Sequence, residues 1–85
     1  MNKSYKGIRE CIDCYNQKSY CIILIIWDDQ TEIYNISTYD NVYSKDISGL
    51  TLDILGQWSF DLGSAKRKAL IDTGFKSSDF TWEEI

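Results

Sequence analysis

Tyr20-Cys21-Ile22-Ile23-Leu24-Ile25-Ile26-Trp27 is an unbroken apolar run, rich in β-branched residues and closed by the polar stretch Asp28-Asp29-Gln30-Thr31. Its length and composition read as a strand. With no polar position to turn toward water, it must be covered on both faces. An 85-residue chain has helices, a second sheet or another subunit with which to do this. Glu32 to Thr38 reads as the returning strand of a hairpin, with Tyr34 and Ile36 on one face and Ile33 and Asn35 on the other. Its greater polarity suits a place nearer the sheet edge.

The flanking segments are patterned less simply. Tyr5, Ile8, Ile12 and Tyr15 recur at spacings of three and four behind Ser4, a possible N-cap. That predicts an N-terminal helix ended by Asn16-Gln17-Lys18-Ser19. Gly7 weakens this helix by about 1 kcal/mol relative to alanine, and a strand competes because Cys, Ile and Tyr suit strands equally. Tyr39 to Gly49 reads as a loop, interrupted by the turn-forming Asp40-Asn41 and Ser44-Lys45-Asp46. Leu50, Leu52 and Ile54 then alternate with Thr51 and Asp53, and Trp58, Phe60 and Leu62 with Gln57, Ser59 and Asp61. These are two strands, or one bent at Gly56. Ser64 as N-cap predicts a helix from Ala65 to Thr73 with Ala69 and Leu70 inward, closed by Gly74 in the left-handed C′ position. Ser78 to Ile85 fits either a strand or a short helix.

The expected architecture is a single α+β domain spanning residues 1–85: a small antiparallel sheet of about four strands, packed by an N-terminal and a C-terminal helix. Helices on opposite faces would bury the 20–27 strand within one chain. Helices on one face would leave the other for a partner, and a homodimer would follow.

Charge adds direction. The net charge is −4, and it is unevenly spread. Residues 1–18 hold Lys3, Lys6, Arg9 and Lys18 against Glu10 and Asp13. Residues 19–65 hold Lys45 alone against Asp28, Asp29, Glu32, Asp40, Asp46, Asp53 and Asp61. The last twenty residues balance. An acidic middle repels phosphate and disfavours nucleic-acid binding, while it suits a larger basic protein. The partner-binding residues expected on this basis are Asp28, Asp29, Glu32, Tyr39, Asp40, Tyr43 and Asp46. The plain alternative is that these acids keep a small domain soluble. Lys66-Arg67-Lys68 is the competing feature. Placed in the first turn of the predicted helix, against the dipole preference, it is the candidate phosphate-contacting set.

The chemistry that the chain lacks narrows the classes further. It contains no histidine, which removes Ser-His and Cys-His nucleophile pairs and a histidine base. No phosphate-binding, dinucleotide or nucleophile-elbow motif is present. Cys11-Ile12-Asp13-Cys14 is a C-x-x-C, but only Cys21 remains to complete a zinc site, so the cysteines read as packing residues and no metal or other cofactor is expected. An odd cysteine count and no apolar leader read as a reduced, cytoplasmic protein, and the 20–27 run is too short to span a membrane. The absence of proline and the abundance of Ile, Tyr, Asn and Lys are consistent with an AT-rich genome, such as that of a low-GC bacterium or its phage. The expectation is a non-enzymatic, acidic, protein-binding inhibitor of a larger, nucleic-acid-handling protein, of the phage or mobile-element anti-defence (anti-CRISPR-like) type. The alternatives are a toxin-neutralising immunity protein or antitoxin, and a nucleic-acid-binding regulator acting through Lys66, Arg67 and Lys68.

Overall fold

A computed structural model describes residues 2–48 and 56–85. The strands are β1 (Tyr5–Ile12), β2 (Lys18–Asp28), β3 (Ile33–Val42), β4 (Gln57–Ser59) and β5 (Thr81–Glu84). All pairings are antiparallel, in the order β4-β3-β2-β1-β5. One α-helix, α1 (Leu62–Thr73), and a single 3-10 turn at Ser77–Asp79 complete the described elements.

The apolar run is the middle strand of this sheet, as its two apolar faces require. Ile23 and Ile25 face α1 and meet Tyr34, Ile36, Ala65, Ala69 and Phe80 in the core. Ile22 and Leu24 point to the opposite face and are also buried within the single chain. The expected α+β arrangement of an N-terminal and a C-terminal helix on about four strands is overturned: the described residues form a five-stranded sheet with one helix, and the N-terminal segment is not helical.

The main correction is at the N-terminus, where the predicted helix is strand β1. It pairs along its whole length with β2, from Tyr5 opposite Ile25 to Ile12 opposite Lys18. Tyr5, Gly7, Arg9 and Cys11 face α1, while Lys6, Ile8, Glu10 and Ile12 face away. The helical spacing of Tyr5, Ile8, Ile12 and Tyr15 was real but outweighed. A central strand needs hydrogen-bonding neighbours on both edges, and β1 is the neighbour that β2 lacked. Of the stretch that would have ended the helix, Lys18 and Ser19 open β2, while Asn16 and Gln17 lie in the β1–β2 turn. There Asn16 adopts φ 60°, the left-handed conformation that asparagine tolerates well, and its N–H donates to the Asp13 carbonyl at 3.0 Å.

Three smaller corrections follow. β3 continues through Val42, so Tyr39 and Asp40 are strand residues, with a register irregularity opposite Tyr20 to Ile22. The predicted strand at 57–62 is cut to Gln57–Ser59, because Leu62 opens α1. The helix is capped by Asp61, whose carboxylate accepts from the Ser64 N–H at 2.8 Å; Ser64 is the capped residue and not the cap. The predicted strand over Leu50, Leu52 and Ile54 lies outside the described residues. Gly74 takes the left-handed position as expected, with φ 75° and its N–H on the Leu70 carbonyl at 2.9 Å. The C-terminal segment uses both of its predicted options in turn, a 3-10 turn and then β5.

Candidate functional site

The seven expected partner-binding residues fall at two ends of the sheet. Asp28, Asp29 and Glu32 form the β2–β3 hairpin tip. Asp40 stands beside Cys21, some seven strand residues away, a separation of roughly 23 Å at the strand rise of about 3.3 Å per residue. Tyr39, Tyr43 and Asp46 belong to this second end. The single central acidic surface inferred from the sequence is therefore two surfaces.

At the hairpin tip the acids build the turn. Asp28 accepts from the Gln30 N–H at 2.9 Å. That bond, helped by the Thr31 hydroxyl, holds its carboxyl below the usual carboxylate range. Asp29 accepts from the Trp27 indole N–H at 2.6 Å. Glu32 sits at φ 56° with its N–H on the Asp28 carbonyl at 2.8 Å. A left-handed glutamate costs roughly 1–2 kcal/mol relative to right-handed backbone.

The other end is organised around Asp13, which lies outside the expected set. One oxygen of its carboxylate accepts from the N–H groups of Gln17 and Tyr15, at 2.8 and 2.9 Å. The other accepts from the Tyr43 hydroxyl at 2.8 Å. The β1–β2 turn is thus tied to the segment after β3. Around this link Tyr15 is 81% exposed, Ile12 61% and Tyr43 58%, an unusual degree of apolar display for three neighbouring large side chains. Asp46 caps its own turn, accepting from the Ser48 N–H at 3.0 Å, which lowers its pKa. Lys45 turns its ammonium over the Tyr20 ring, 5.5 Å from the centroid. Of the other tyrosines, Tyr34 is a core residue, its ring tilted against that of Trp27 with centroids 4.9 Å apart, and Tyr39 is half-buried on the face away from α1. The sequence signal for Asp13 was an Asp followed by Asn16 in a turn-forming stretch. It was masked by the helical spacing around it.

This carboxylate-phenol contact has a pH signature. The Gln17 N–H foremost, then the Tyr43 hydroxyl and Tyr15 N–H, hold the Asp13 carboxyl below its ordinary value. The Asp13 hydrogen bond pushes the Tyr43 phenol up. A depressed carboxyl stabilises the fold above its unfolded value of about 3.9, and this is lost as pH falls through the folded value. A raised phenol stabilises the fold below its unfolded value of about 10, and this is lost as pH rises through the folded value. The link is therefore intact between these limits. In Asp13→Asn, one tyrosine is expected to titrate closer to its ordinary value, read by phenolate absorbance or by the ring carbon shift of Tyr43. If no tyrosine moves, the contact does not persist in solution.

The Lys66-Arg67-Lys68 cluster does not form one patch. With α1 beginning at Leu62, the three residues lie in its second turn, and the dipole conflict falls away. Lys66 crosses one flank, its ammonium 4.7 Å from the Trp82 ring centroid and 5.7 Å from that of Tyr5. Lys68 takes the other flank, donating to the Trp58 carbonyl at 2.8 Å. Arg67 points outward, within 3.3 Å of the Ser64 hydroxyl.

The three thiols are free; Cys11 and Cys21 share the helix-side face of β1 and β2, and Cys14 stands apart. Cys14 is exposed in the β1–β2 turn, Cys11 is half-buried on the helix face of β1, and Cys21 is buried. Burial, reinforced by nearby Asp40, pushes the Cys21 thiol up to about 11. The Arg9 guanidinium donates to the Cys11 sulfur at 2.7 Å and lies 3.9 Å over the Phe75 ring. Among the described residues no group of three or more Cys, Asp or Glu side chains is arranged to hold a metal ion, and no helix is long and apolar enough to cross a membrane. Compared with protein-family models, with curated proteins and with solved structures, the chain finds no match.

Proposed function

We propose that this protein is a small non-catalytic inhibitor that works by binding. Its acidic, tyrosine-bearing end docks on a basic groove of a larger protein of the kind that handles nucleic acid. The observation that carries this reading is the Asp13 carboxylate holding Tyr43 at 2.8 Å while it shapes the turn that displays Tyr15. It presents two exposed tyrosines from different chain segments as one preorganised surface, at little entropic cost on binding. Tyrosine is favoured at binding hot spots because it supplies a large rigid contact area with a polar tip. The surrounding Asp13, Asp40 and Asp46 supply a field that steers a cationic partner. The lowered pKa values of Asp13, Asp28, Asp46 and Asp61 are each accounted for chiefly by N–H groups of a turn or a helix cap, so these carboxylates shape the loops that carry the surface. A toxin-neutralising immunity protein or antitoxin would use the same physics on a different target.

The test is affinity capture of the tagged protein from nuclease-treated lysate of its natural host. One basic protein is expected in near-equal amount, released by high salt and lost when Tyr15→Ala and Tyr43→Ala are combined. Recovery of the bait alone, or loss of the partner on Asp29→Lys with the tyrosine double variant still binding, would overturn the assignment.

A further inference from the structure

We propose that the β4 edge of the sheet, together with the flank of α1 beside it, is a self-complementary interface through which two copies of this chain form a two-fold dimer. Among the described residues β4 is the terminal strand of the sheet, three residues long. A strand this short offers little ladder to a further strand, so the interface is built from side chains of this edge and of α1. The Trp58 carbonyl accepts from the Lys68 ammonium, a donor outside the sheet ladder. Along this edge runs a shallow groove of about 520 Å³, lined by Gly56, Gln57, Trp58, Lys68, Ile71 and Asp72.

Its apolar content is anomalous for a free surface. Ile71 is 79% exposed, Phe60 71% and Trp58 47%, with the two aromatic rings in contact at 4.9 Å. The charges identify the occupant. Lys68 and Asp72 lie four residues apart on the same flank of α1, one cationic and one anionic. Among the described residues neither has a counter-ion: the ion pairs there are Lys3–Glu84, Lys6–Glu83 and Lys18–Glu10. Lys68 is satisfied by a neutral carbonyl, and Asp72 by the Gln57 amide at 2.9 and 3.1 Å. A partner of a single sign would meet one like charge in this groove. A second copy related by a two-fold axis near Ile71, with helices antiparallel, brings Lys68 of each chain to Asp72 of the other. It also buries Ile71 and Trp58 between them. That is the reciprocity of an isologous interface. Tyr15 and Tyr43 do not line this groove, while Asp72 also lines a neighbouring pocket with Asp40.

Sedimentation equilibrium from about 1 µM to about 1 mM covers the range of a weak to moderate association. The wild type is expected to show a monomer–dimer equilibrium within it. Ile71→Glu, a change at an exposed position, should leave the circular dichroism spectrum intact and abolish the dimer. Lys68→Glu or Asp72→Lys alone should weaken the dimer at least about tenfold, through like charges set face to face, and the double swap should restore it. A wild type monomeric throughout, a dimer indifferent to Ile71→Glu, or a double swap no better than either single change would each overturn the proposal.

Discussion

Replacing Ile23 with alanine is expected to cost about 3–4 kcal/mol, within the range of buried isoleucine truncations. Ile23 is fully buried in the middle of the central strand and belongs to the cluster that meets Ala65 and Ala69 of α1. Two alanines on the helix let its backbone lie close to the sheet, so the bulk that fills the layer comes from β2 and β3. Neither alanine can swing into the space that Ile23 leaves, and the cavity term is retained almost whole. For a domain of this size about 1 kcal/mol moves the melting temperature by about 4–8 °C; the shift for Ile23→Ala should exceed about 12 °C. Thermal unfolding followed by circular dichroism reads it. A loss below about 1 kcal/mol, in the range of tolerated repacking, would mean that the helix is not seated on the sheet as described.

Gly7→Val is the second large effect, expected at about 2–3 kcal/mol from overpacking. Gly7 pairs with Trp82 across β1 and β5. A Cβ built on it would stand 2.8 Å from Cζ3 of that indole and 3.0 Å from Cε3 and Cη2. The ring covers the glycine, as an aromatic often does across an antiparallel pair. It has little freedom to yield, with its N–H on the Ser77 carbonyl at 3.0 Å and the Lys66 ammonium over its face. A valine at position 7 must therefore push Trp82 out and loosen β5, which is otherwise tied to β1 by short pairing, by the partly covered Lys6–Glu83 pair and by the exposed Lys3–Glu84 pair, the latter worth little. The diagnostic is coupling. In the double variant Gly7→Val with Trp82→Ala the clash is gone, and the combined loss should fall short of the sum by at least about 1 kcal/mol, a usual size for residues in contact. Strict additivity would show that the ring does not lie on the glycine.

Both predictions concern places where the sequence was read unequally well. The 20–27 strand and its hairpin with β3 were legible, because eight successive apolar positions leave a single physical outcome, burial on both faces. The end of α1 was equally legible, since a left-handed C′ residue calls for glycine and Gly74 was at hand. The start of α1 was placed three residues late. Ser64 and Asp61 are both competent caps, and only the chain's exit from β4 selects between them. β1 was misread because Tyr5, Ile8, Ile12 and Tyr15 satisfy a helical period as well as Gly7 and its alternating neighbours satisfy a strand. Local pattern does not rank the two.

The candidate site follows the same division. That the chain is acidic in its middle and suited to a cationic partner can be counted along the sequence. That Asp28 and Asp40 are separated by the length of a strand cannot, because residue proximity in a hairpin depends on register. The role of Asp13 depends on Tyr43, thirty positions later, arriving at the same turn. The dispersal of Lys66, Arg67 and Lys68 over two flanks and the outer side of α1 depends on where that helix begins and which face it buries.

By itself, then, the sequence determined a doubly buried central strand, its hairpin partner, a C-terminal helix with its glycine stop and the sign of the charge, since each rests on interactions between near neighbours or on composition. The tertiary structure alone decided that the N-terminal segment is a strand and that, among the described residues, one helix serves the sheet. It alone decided that the acids divide between two ends and that Trp58, Ile71, Lys68 and Asp72 share one edge. Those outcomes turn on hydrogen-bonding partners and packing surfaces contributed by residues distant along the chain, and no local pattern carries that information.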